Sequence, residues 1–260
     1  MLIGEVILFG LLVSSSVQWV YYVYEGFRLT KLTALAHKWN CDRLQRLKVS
    51  FERLQNIEKR SDDQRTEFYK VYESLLDFPV TRRPDGSMVR EAERATRLGN
   101  IIAVYELYPK TRYGVDSVLY WFHLLNLAPD NVRQDFSDQV SFAESLVLTS
   151  FSGALVAVLQ ALVLIGFGIR IWFHAPVVVT LWIGPLASLF LLGFGVVVWF
   201  LFYMFAMSAH RDAGKIFESG VDVAMPKFVL WLAQVQAPLE GIAAERLSKL
   251  TDYLKKPESG

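Results

Sequence analysis

The chain has 260 residues, of which 53% are hydrophobic, and its 27 Lys and Arg nearly balance its 26 Asp and Glu. Because no basic excess gathers on one segment, nothing in the sequence predicts a nucleic-acid-binding surface. A single cysteine, Cys41, excludes an intramolecular disulfide and a thiolate metal centre, and we expect no metal and no cofactor. Long apolar runs instead predict a multi-pass membrane protein, since about 20 apolar residues cross a bilayer.

Residues 1–24 form the first apolar run, which is broken only by Glu5. A cleaved signal peptide would carry Lys or Arg ahead of its apolar part, and this run has none there. Four aromatic residues near its end are typical of a membrane interface; they are Trp19, Tyr21, Tyr22 and Tyr24. We therefore predict that residues 1–24 form transmembrane helix 1.

Residues 25–143 predict a helical cytoplasmic domain, because no strand-like alternation persists there. An apolar stripe predicts a helix over 27–58, interrupted near Asn40, and a capping box at Ser61 predicts the start of a second helix. Breaker residues predict a loop over 78–87. Three further helices are predicted. The first covers 88–107 and is ended by Tyr108 and Pro109, and the second covers 117–127 and either packs in the domain or lies on the bilayer. The third begins at Pro129 and continues into the next span.

The densest group of chemistry-bearing residues lies between Thr96 and Asp116. It combines arginines, acids, tyrosines, glycines and a proline in one short segment: Arg97, Gly99, Asn100, Glu106, Tyr108, Pro109, Arg112, Tyr113 and Asp116. One interpretation is an interaction surface near the membrane. The other is a structural turn held by arginine–carboxylate and tyrosine hydrogen bonds. Turn and cap positions account for Pro109, Gly114 and Asp116, so the structural interpretation is favoured.

The same segment resembles a family of bacterial multi-pass membrane proteins. The resemblance lies in Thr-Arg-Leu-Gly-Asn at 96–100, Tyr-Pro at 108–109 and Arg-Tyr-Gly-x-Asp at 112–116, and it extends over residues 90–255. It implies the architecture and a bacterial inner-membrane location. We know of no activity for this family, so the resemblance implies no chemistry. Family members tend to have Trp-Pro where this chain has Trp121-Phe122.

A transmembrane hairpin is predicted over 144–208, because residues 145–169 and 171–210 contain no Asp, Glu, Lys or Arg. Small residues recur every four positions and predict ridges on which helix backbones approach closely. They are Ser145, Thr149, Gly153, Ala157 and Ala161 in the second span, and Gly184 and Ser188 in the third. With transmembrane helix 1, these spans predict a three-helix bundle in which Gln18 and Gln160 point inward.

The distribution of positive charge predicts the orientation of the spans. Several Lys and Arg follow the first and the third spans, whereas only Arg170 lies between the second and the third. The N-terminus is therefore expected outside, with residues 25–143 and the tail 209–260 in the cytoplasm. Within the tail we expect one helix that begins at Pro226 and a second, amphipathic helix after Pro238.

Together these features favour a non-enzymatic integral membrane protein that serves as a scaffold, a sensor or an accessory subunit of a membrane assembly. Its expected partners are membrane lipid and either further copies of itself or other membrane subunits, but no nucleic acid. One alternative is a pore, channel or transport component whose oligomers line a path with Gln160, Gln18, Ser188 and the glycines of the spans. The other is a membrane-interface enzyme that uses Glu144, Asp138 or His123.

Overall fold

A computed structural model describes residues 18–27, 30–83, 85–172 and 185–236. Helices take up 84% of these residues, which confirms a mostly helical chain. The described helices are α1 (residues 18–25), α2 (Thr30–Gln55), α3 (Asp62–Leu76), α4 (Arg97–Tyr113), α5 (Ser117–Leu127), α6 (Asp130–Trp172) and α7 (Pro185–Gln236). The two short strands are β1 (Val80–Arg82) and β2 (Met88–Arg90).

The predicted capping box is present at the start of α3. Ser61 Oγ accepts a hydrogen bond from the Gln64 N–H at 3.3 Å, and Gln64 Oε1 accepts one from the Ser61 N–H at 3.0 Å. The predicted interruption near Asn40 is wrong, since α2 runs unbroken through it. The Asn40 amide donates to the carbonyls of Ala36 at 3.2 Å and Ala95 at 2.5 Å, so the fold satisfies this polar group.

An antiparallel hairpin of β1 and β2 occupies most of the segment for which the sequence predicts a loop and the start of a helix. Val80 pairs with Arg90 across the hairpin. The carboxylate of Asp85 closes the turn, because it accepts hydrogen bonds from the Ser87 N–H at 2.8 Å and the Ser87 Oγ–H at 2.6 Å. Side-chain bonds of this kind stabilise turns locally, and here the turn allows a strand pair instead of an open loop.

Helix α4 lies further along the chain than its predicted bounds of 88–107. Thr96 Oγ1 accepts a hydrogen bond from the Gly99 N–H at 2.9 Å and so caps the start of the helix. The helix continues through Pro109 and ends at Gly114, which is left-handed with φ 71°. The predicted end at Pro109 is therefore wrong. Pro109 is buried, which indicates that packing overrides its local breaking effect.

Helix α7 also continues through a proline. The prediction that Pro226 begins a helix is wrong, because α7 runs from Pro185 to Gln236 without interruption. Ala224, Met225 and Phe228, on either side of this proline, are fully buried. Their packing stabilises the helix against the loss of one N–H donor. The second helix predicted for the tail lies outside the described residues.

Two helices are long and apolar enough to cross a membrane: α6 over Asp130–Ile169 and α7 over Pro185–Gln234. Only 6% and 11% of their most apolar windows are buried, whereas the core helix of a soluble protein is mostly buried. Transmembrane helix 1 of the prediction is described only from residue 18. The connection between the second and third spans and the predicted packing residue Gly184 lie within 173–184, outside the described residues.

The contacts within the chain define two compact units. One comprises Met1–Tyr22 and Ser141–Ala209, and the other comprises Val23–Val140 and His210–Gly260. Helices α6 and α7 each contribute residues to both units.

An aromatic core holds four helices of the second unit together. Phe217 on α7 stacks on Trp121 of α5 with ring centroids 4.5 Å apart, and it lies 5.4 Å from the ring of Phe136 on α6. Tyr105 on α4 completes the group at 6.0 Å from Phe217. Aromatic rings bury large apolar areas, so this core fixes α4 against α7.

Candidate functional site

The segment 96–100 binds the end of α1 and the residues just before α4. Thr96 Oγ–H donates a hydrogen bond to the Tyr24 carbonyl. Asn100 is fully buried; its Oδ1 accepts from the Arg94 N–H at 2.9 Å, and its amide donates to the carbonyls of Arg94 and Thr96, both at 2.7 Å. Buried polar groups are costly unless they are paired. Here the side-chain amide of Asn100 pairs with backbone groups of Arg94 and Thr96, and so holds this part of the backbone in place.

Two glycines allow these segments to approach closely. A Cβ atom on Gly99 would lie 2.2 Å from the carbonyl oxygen of Glu25. Gly26 has φ +88°, and a Cβ there would lie 2.7 Å from the Cβ of Ala95. An L-side chain at Gly26 is strained by its backbone conformation as well as by this contact. Glycine is therefore required on both sides of the junction.

Arg94 pairs with two acids at the same junction, and these residues with Phe27 form the Arg94 cluster. Its Nη1 lies 2.8 Å from Glu25 Oε2, its Nη2 pairs with Glu106 Oε2, and its guanidinium lies 4.8 Å from the centre of the Phe27 ring. Burial raises the pKa of both Glu25 and Glu106, and the charge of Arg94 opposes that rise. One cation thus holds two carboxylates.

A second group, the Asp222 cluster, joins the end of α4 to α7. Asp222 Oδ1 accepts hydrogen bonds from the hydroxyls of Tyr108 and Tyr113, both at 2.7 Å. Arg112 Nε lies 3.8 Å from the same oxygen and donates to the Tyr113 oxygen at 3.3 Å. Burial and the bond to Asp222 raise the pKa of Tyr113 to about 12 and raise the pKa of Tyr108 as well. Both phenols therefore remain protonated donors at neutral pH.

The third group, the Asp77 cluster, places one buried carboxylate among three guanidiniums. Asp77 is 2% exposed and follows α3. Its Oδ2 lies 2.9 Å from Arg97 Nε and its Oδ1 lies 2.7 Å from Arg211 Nε. Arg43 Nη2 lies 3.7 Å from Oδ2. The three arginines come from α2, α4 and α7, so this acid links helices that are far apart in the sequence.

The structure separates the predicted constellation instead of gathering it in one site. Arg97 belongs to the Asp77 cluster and Glu106 to the Arg94 cluster, whereas Tyr108, Arg112 and Tyr113 belong to the Asp222 cluster. Asp116 lies just before α5, where its carbonyl accepts from the Tyr120 N–H at 3.2 Å.

Sequence reasoning missed the residue at the centre of each cluster. Asp77 is 134 positions from Arg211, and Asp222 is 114 positions from Tyr108. No local spacing rule connects partners at such separations. The segment 96–113 could be found from its own density of polar residues, but its partners could be found only through the fold.

Within the first unit, α6 and α7 make a close backbone contact. A Cβ on Gly153 would lie 2.7 Å from the Trp199 nitrogen, and a Cβ on Gly195 would lie 2.8 Å from the Ala157 nitrogen. Ser150 Oγ–H donates to the Trp199 carbonyl at 2.9 Å. Gly153 and Ala157 of the predicted ridge are therefore at the contact, together with two residues, Ser150 and Gly195, that the prediction did not include.

The other residues predicted to pack in the membrane differ in exposure. Ser145 is exposed and donates to the Phe142 carbonyl at 2.6 Å, whereas Ser188 is fully buried; Thr149 and Ala161 are half-buried. Gln18 is exposed, with its amide 3.4 Å from the Tyr22 hydroxyl. Its side chain therefore does not have the inward orientation that the sequence analysis expects.

The residues proposed for an interfacial enzyme lie on α5 and α6. His123 packs against Trp231 with ring centroids 4.6 Å apart. Asp138 is exposed and Glu144 is half-buried. No geometry in these contacts connects them as an acid–base pair.

Comparison of the chain with protein-family models, with curated proteins and with solved structures finds no match. The resemblance to a bacterial membrane-protein family stays a prediction.

Proposed function

We propose that this chain is a non-enzymatic integral membrane protein of the bacterial inner membrane, and that it serves as a scaffold, a sensor or an accessory subunit of a membrane assembly. One observation supports this proposal above others. Arg97, Asn100, Glu106, Tyr108 and Tyr113 all bind groups of the protein itself. Side chains engaged in this way fix a conformation. The resemblance of segment 96–116 to bacterial membrane proteins supports the same location.

The proposed topology has three transmembrane helices, with the N-terminus outside and the C-terminus in the cytoplasm. The apolar run 1–24 is the proposed first span, and the apolar parts of α6 and α7 are the second and third. The excess of Lys and Arg after the first and third spans supports this orientation. A reporter fused after Gly260 should have cytoplasmic activity, and a label at Arg170 should be accessible from outside. A C-terminus on the periplasmic side would contradict the topology.

The surface best suited to a protein partner lies on α5. Leu119 is 74% exposed and Phe122 is 77% exposed, one helical turn apart, while the opposite face of α5 carries Leu124, which is buried. Leu230 on α7 is 65% exposed. Large apolar side chains in such positions are typical of interaction surfaces. A further copy of the chain or another membrane subunit is the proposed partner, with membrane lipid as its surroundings.

Cysteine crosslinking in native membranes tests the assembly role. Phe122→Cys in a Cys41→Ser background should crosslink to a second copy or to another membrane protein. The matched control is Tyr69→Cys, because Tyr69 is 64% exposed on a different helix, α3. Efficient crosslinking at Phe122 but not at Tyr69 supports the proposal. A protein that is monomeric in mild detergent and does not crosslink at either position would contradict it.

A transport role is the second candidate, because two polar atoms in the long helices are buried without a hydrogen-bond partner in the described part of the chain. They are Gln160 Oε1 and Ser188 Oγ. A buried polar atom of this kind requires water, an ion or another polar group. Ion or solute flux into liposomes should then depend on Ser188, so Ser188→Ala should change the flux while Ser145→Ala, at an exposed position, should not. Absence of flux in liposomes that contain the wild-type protein would contradict this candidate function.

A further inference from the structure

The outward side of α2 carries a stripe of apolar and charged side chains, which we call the α2 face. Its members are exposed and recur at spacings of three and four residues, so they share one side of the helix. They are Leu35, Lys38, Trp39, Asp42, Arg46 and Val49. Trp39 is 66% exposed, Val49 56% and Leu35 49%. A group of large exposed apolar side chains is typical of an interaction surface.

The opposite side of α2 is used for packing within the protein. Leu44 is 6% exposed and belongs to a buried core with Phe78. The Asn40 amide donates to the Ala95 carbonyl at 2.5 Å, from the same side of the helix as Leu44. These contacts fix the rotation of α2 about its axis, so the α2 face points away from the core.

The middle of α2 is tied to the end of the first apolar run. Asn40 binds the Ala95 carbonyl, and the hydroxyl of the next residue, Thr96, donates to the carbonyl of Tyr24. Tyr24 is the last residue of the apolar run 1–24. Two consecutive residues of one segment therefore connect α2 to the end of the proposed first span.

A second tie connects α2 to the end of the third apolar run. Asp77 Oδ2 lies 3.7 Å from Arg43 Nη2 on α2, and Asp77 Oδ1 lies 2.7 Å from Arg211 Nε on α7. Arg211 directly follows the apolar run 171–210. In the proposed topology both runs end at the cytoplasmic surface of the membrane, so the middle of α2 lies at that surface.

The composition of the α2 face matches an anionic lipid surface. Lys38 and Arg46 are exposed on either side of Asp42, the one acid of this face, and Arg28 and Lys31 precede the face in the sequence. Basic residues next to a span attract anionic lipids. Tryptophan is enriched at membrane–water interfaces, and long basic side chains can lie along apolar surface while their charged ends stay in water.

We propose that the α2 face lies on the cytoplasmic surface of the bilayer and binds anionic phospholipid headgroups. Trp39 and Leu35 enter the boundary between headgroups and acyl chains, and Lys38 and Arg46 bind the headgroup phosphates. A soluble protein partner would not require an aromatic and basic face beside the ends of two spans. This inference rests on the membrane location and the topology proposed above.

A fluorescent label on the α2 face tests the proposal in proteoliposomes of the full-length protein. The label is attached to Gln45→Cys in a Cys41→Ser background, since Gln45 is an exposed, neutral residue on the same side of α2 as Lys38 and Val49. The matched control is a label at Tyr69→Cys, which is 64% exposed on α3. In vesicles of phosphatidylcholine and phosphatidylglycerol that contain a nitroxide-labelled lipid, quenching should be strong at position 45 and weak at position 69.

Paired charge variants show whether the cations of the α2 face bind the lipid. Lys38→Gln with Arg46→Gln should lower the equilibrium constant for docking on the vesicle surface about tenfold or more, and quenching at position 45 should fall with it. The control pair is Arg65→Gln with Lys70→Gln, which removes the same two residue types from exposed positions on α3. That pair should leave the quenching unchanged. Because all four residues are exposed, melting in detergent should show that both double variants fold like wild type.

The proposal is overturned if position 45 is quenched no more than position 69 in a protein that stays in the vesicles after alkaline carbonate extraction. Equal quenching at position 45 in phosphatidylcholine alone and with phosphatidylglycerol, or equal responses of the two double variants, would also overturn the binding of anionic lipid. A disulfide between position 45 of two copies without quenching by lipid would place a second copy on the α2 face instead.

The membrane-spanning proposal can fail separately from this one. If carbonate extracts the protein, the proposed spans are contradicted. Strong quenching at position 45 before extraction would then still support a lipid surface on α2, and weak quenching would overturn it.

Discussion

The contact between α6 and α7 should be measurably sensitive to a single methyl group at Gly195. A Cβ there would lie 2.8 Å from both the Ala157 nitrogen and the Gly153 oxygen. Both are backbone atoms of α6, so no side chain can rotate away to make room. We expect Gly195→Ala to force the two helices apart and to weaken the bond from Ser150 to the Trp199 carbonyl.

Gly193→Ala is the matched control for this substitution. Gly193 lies two residues away on α7, and a Cβ there would meet nothing within 4 Å. Both changes replace glycine by alanine inside one helix, so both gain about 1 kcal/mol in helix propensity, and that gain cancels in the comparison. The remaining difference is the cost of the forced contact, about 1–3 kcal/mol for overpacking. Gly195→Ala should be less stable than Gly193→Ala by that amount.

Unfolding in mixed detergent and dodecyl sulfate micelles, followed by tryptophan fluorescence, measures both variants against wild type. We expect Gly193→Ala to unfold at the same dodecyl sulfate fraction as wild type or at a higher one. Gly195→Ala should unfold at a lower fraction than Gly193→Ala. Equal stabilities for Gly193→Ala and Gly195→Ala would refute the close contact. Gly153→Ala provides an independent repeat, since its Cβ would lie 2.7 Å from the Trp199 nitrogen.

Three further predictions concern the second unit. Gly99→Ala should destabilise the protein by about 2 kcal/mol or more, because its Cβ would lie 2.2 Å from the Glu25 carbonyl oxygen; a wild-type melting curve would contradict this. Asp222→Asn should lower the free energy of unfolding by about 1–3 kcal/mol, and Arg112→Ala should lower it by less than about 1 kcal/mol, since Arg112 is 38% exposed. If Arg112 were the main tie, chemical unfolding would show the larger loss for Arg112→Ala. The pKa of Tyr113 is raised to about 12 in the folded protein, so the stability that its protonated hydroxyl contributes is complete below the unfolded pKa of about 10 and is lost as pH rises towards 12. Tyr113→Phe should therefore reduce the loss of melting temperature at alkaline pH. A loss as large as that of wild type would contradict this prediction.

The sequence predicted the elements whose signals are local. The capping box at Ser61 and the bounds of α5, 117–127, depend on residues within a few positions of one another. The hairpin near Asp85 was missed because its strands are three residues long, too short for an alternating pattern to be visible. The signals of Pro109 and Pro226 were misleading, because burial of neighbouring side chains outweighs the local preference of proline.

The candidate site was predictable only in part. The polar density of residues 96–116 marked a segment that takes part in all three clusters. Arg112, one of the residues expected to hold the turn, is a half-exposed member of its cluster at 3.8 Å from Asp222. The central residues Asp77 and Asp222 lie outside that segment, since a helical fold brings distant chain positions together without any repeated spacing.

Charge balance distinguishes the clusters more sharply than residue type does. In the Asp222 cluster one acid accepts from two phenols, and in the Arg94 cluster one cation holds two acids whose burial favours protonation. Both arrangements join side chains of the protein to one another, as a structural tie requires. In the Asp77 cluster, three guanidiniums lie around one buried carboxylate. The three clusters therefore tie distant parts of the chain together through different sets of charged and polar groups, which agrees with the structural interpretation of this region.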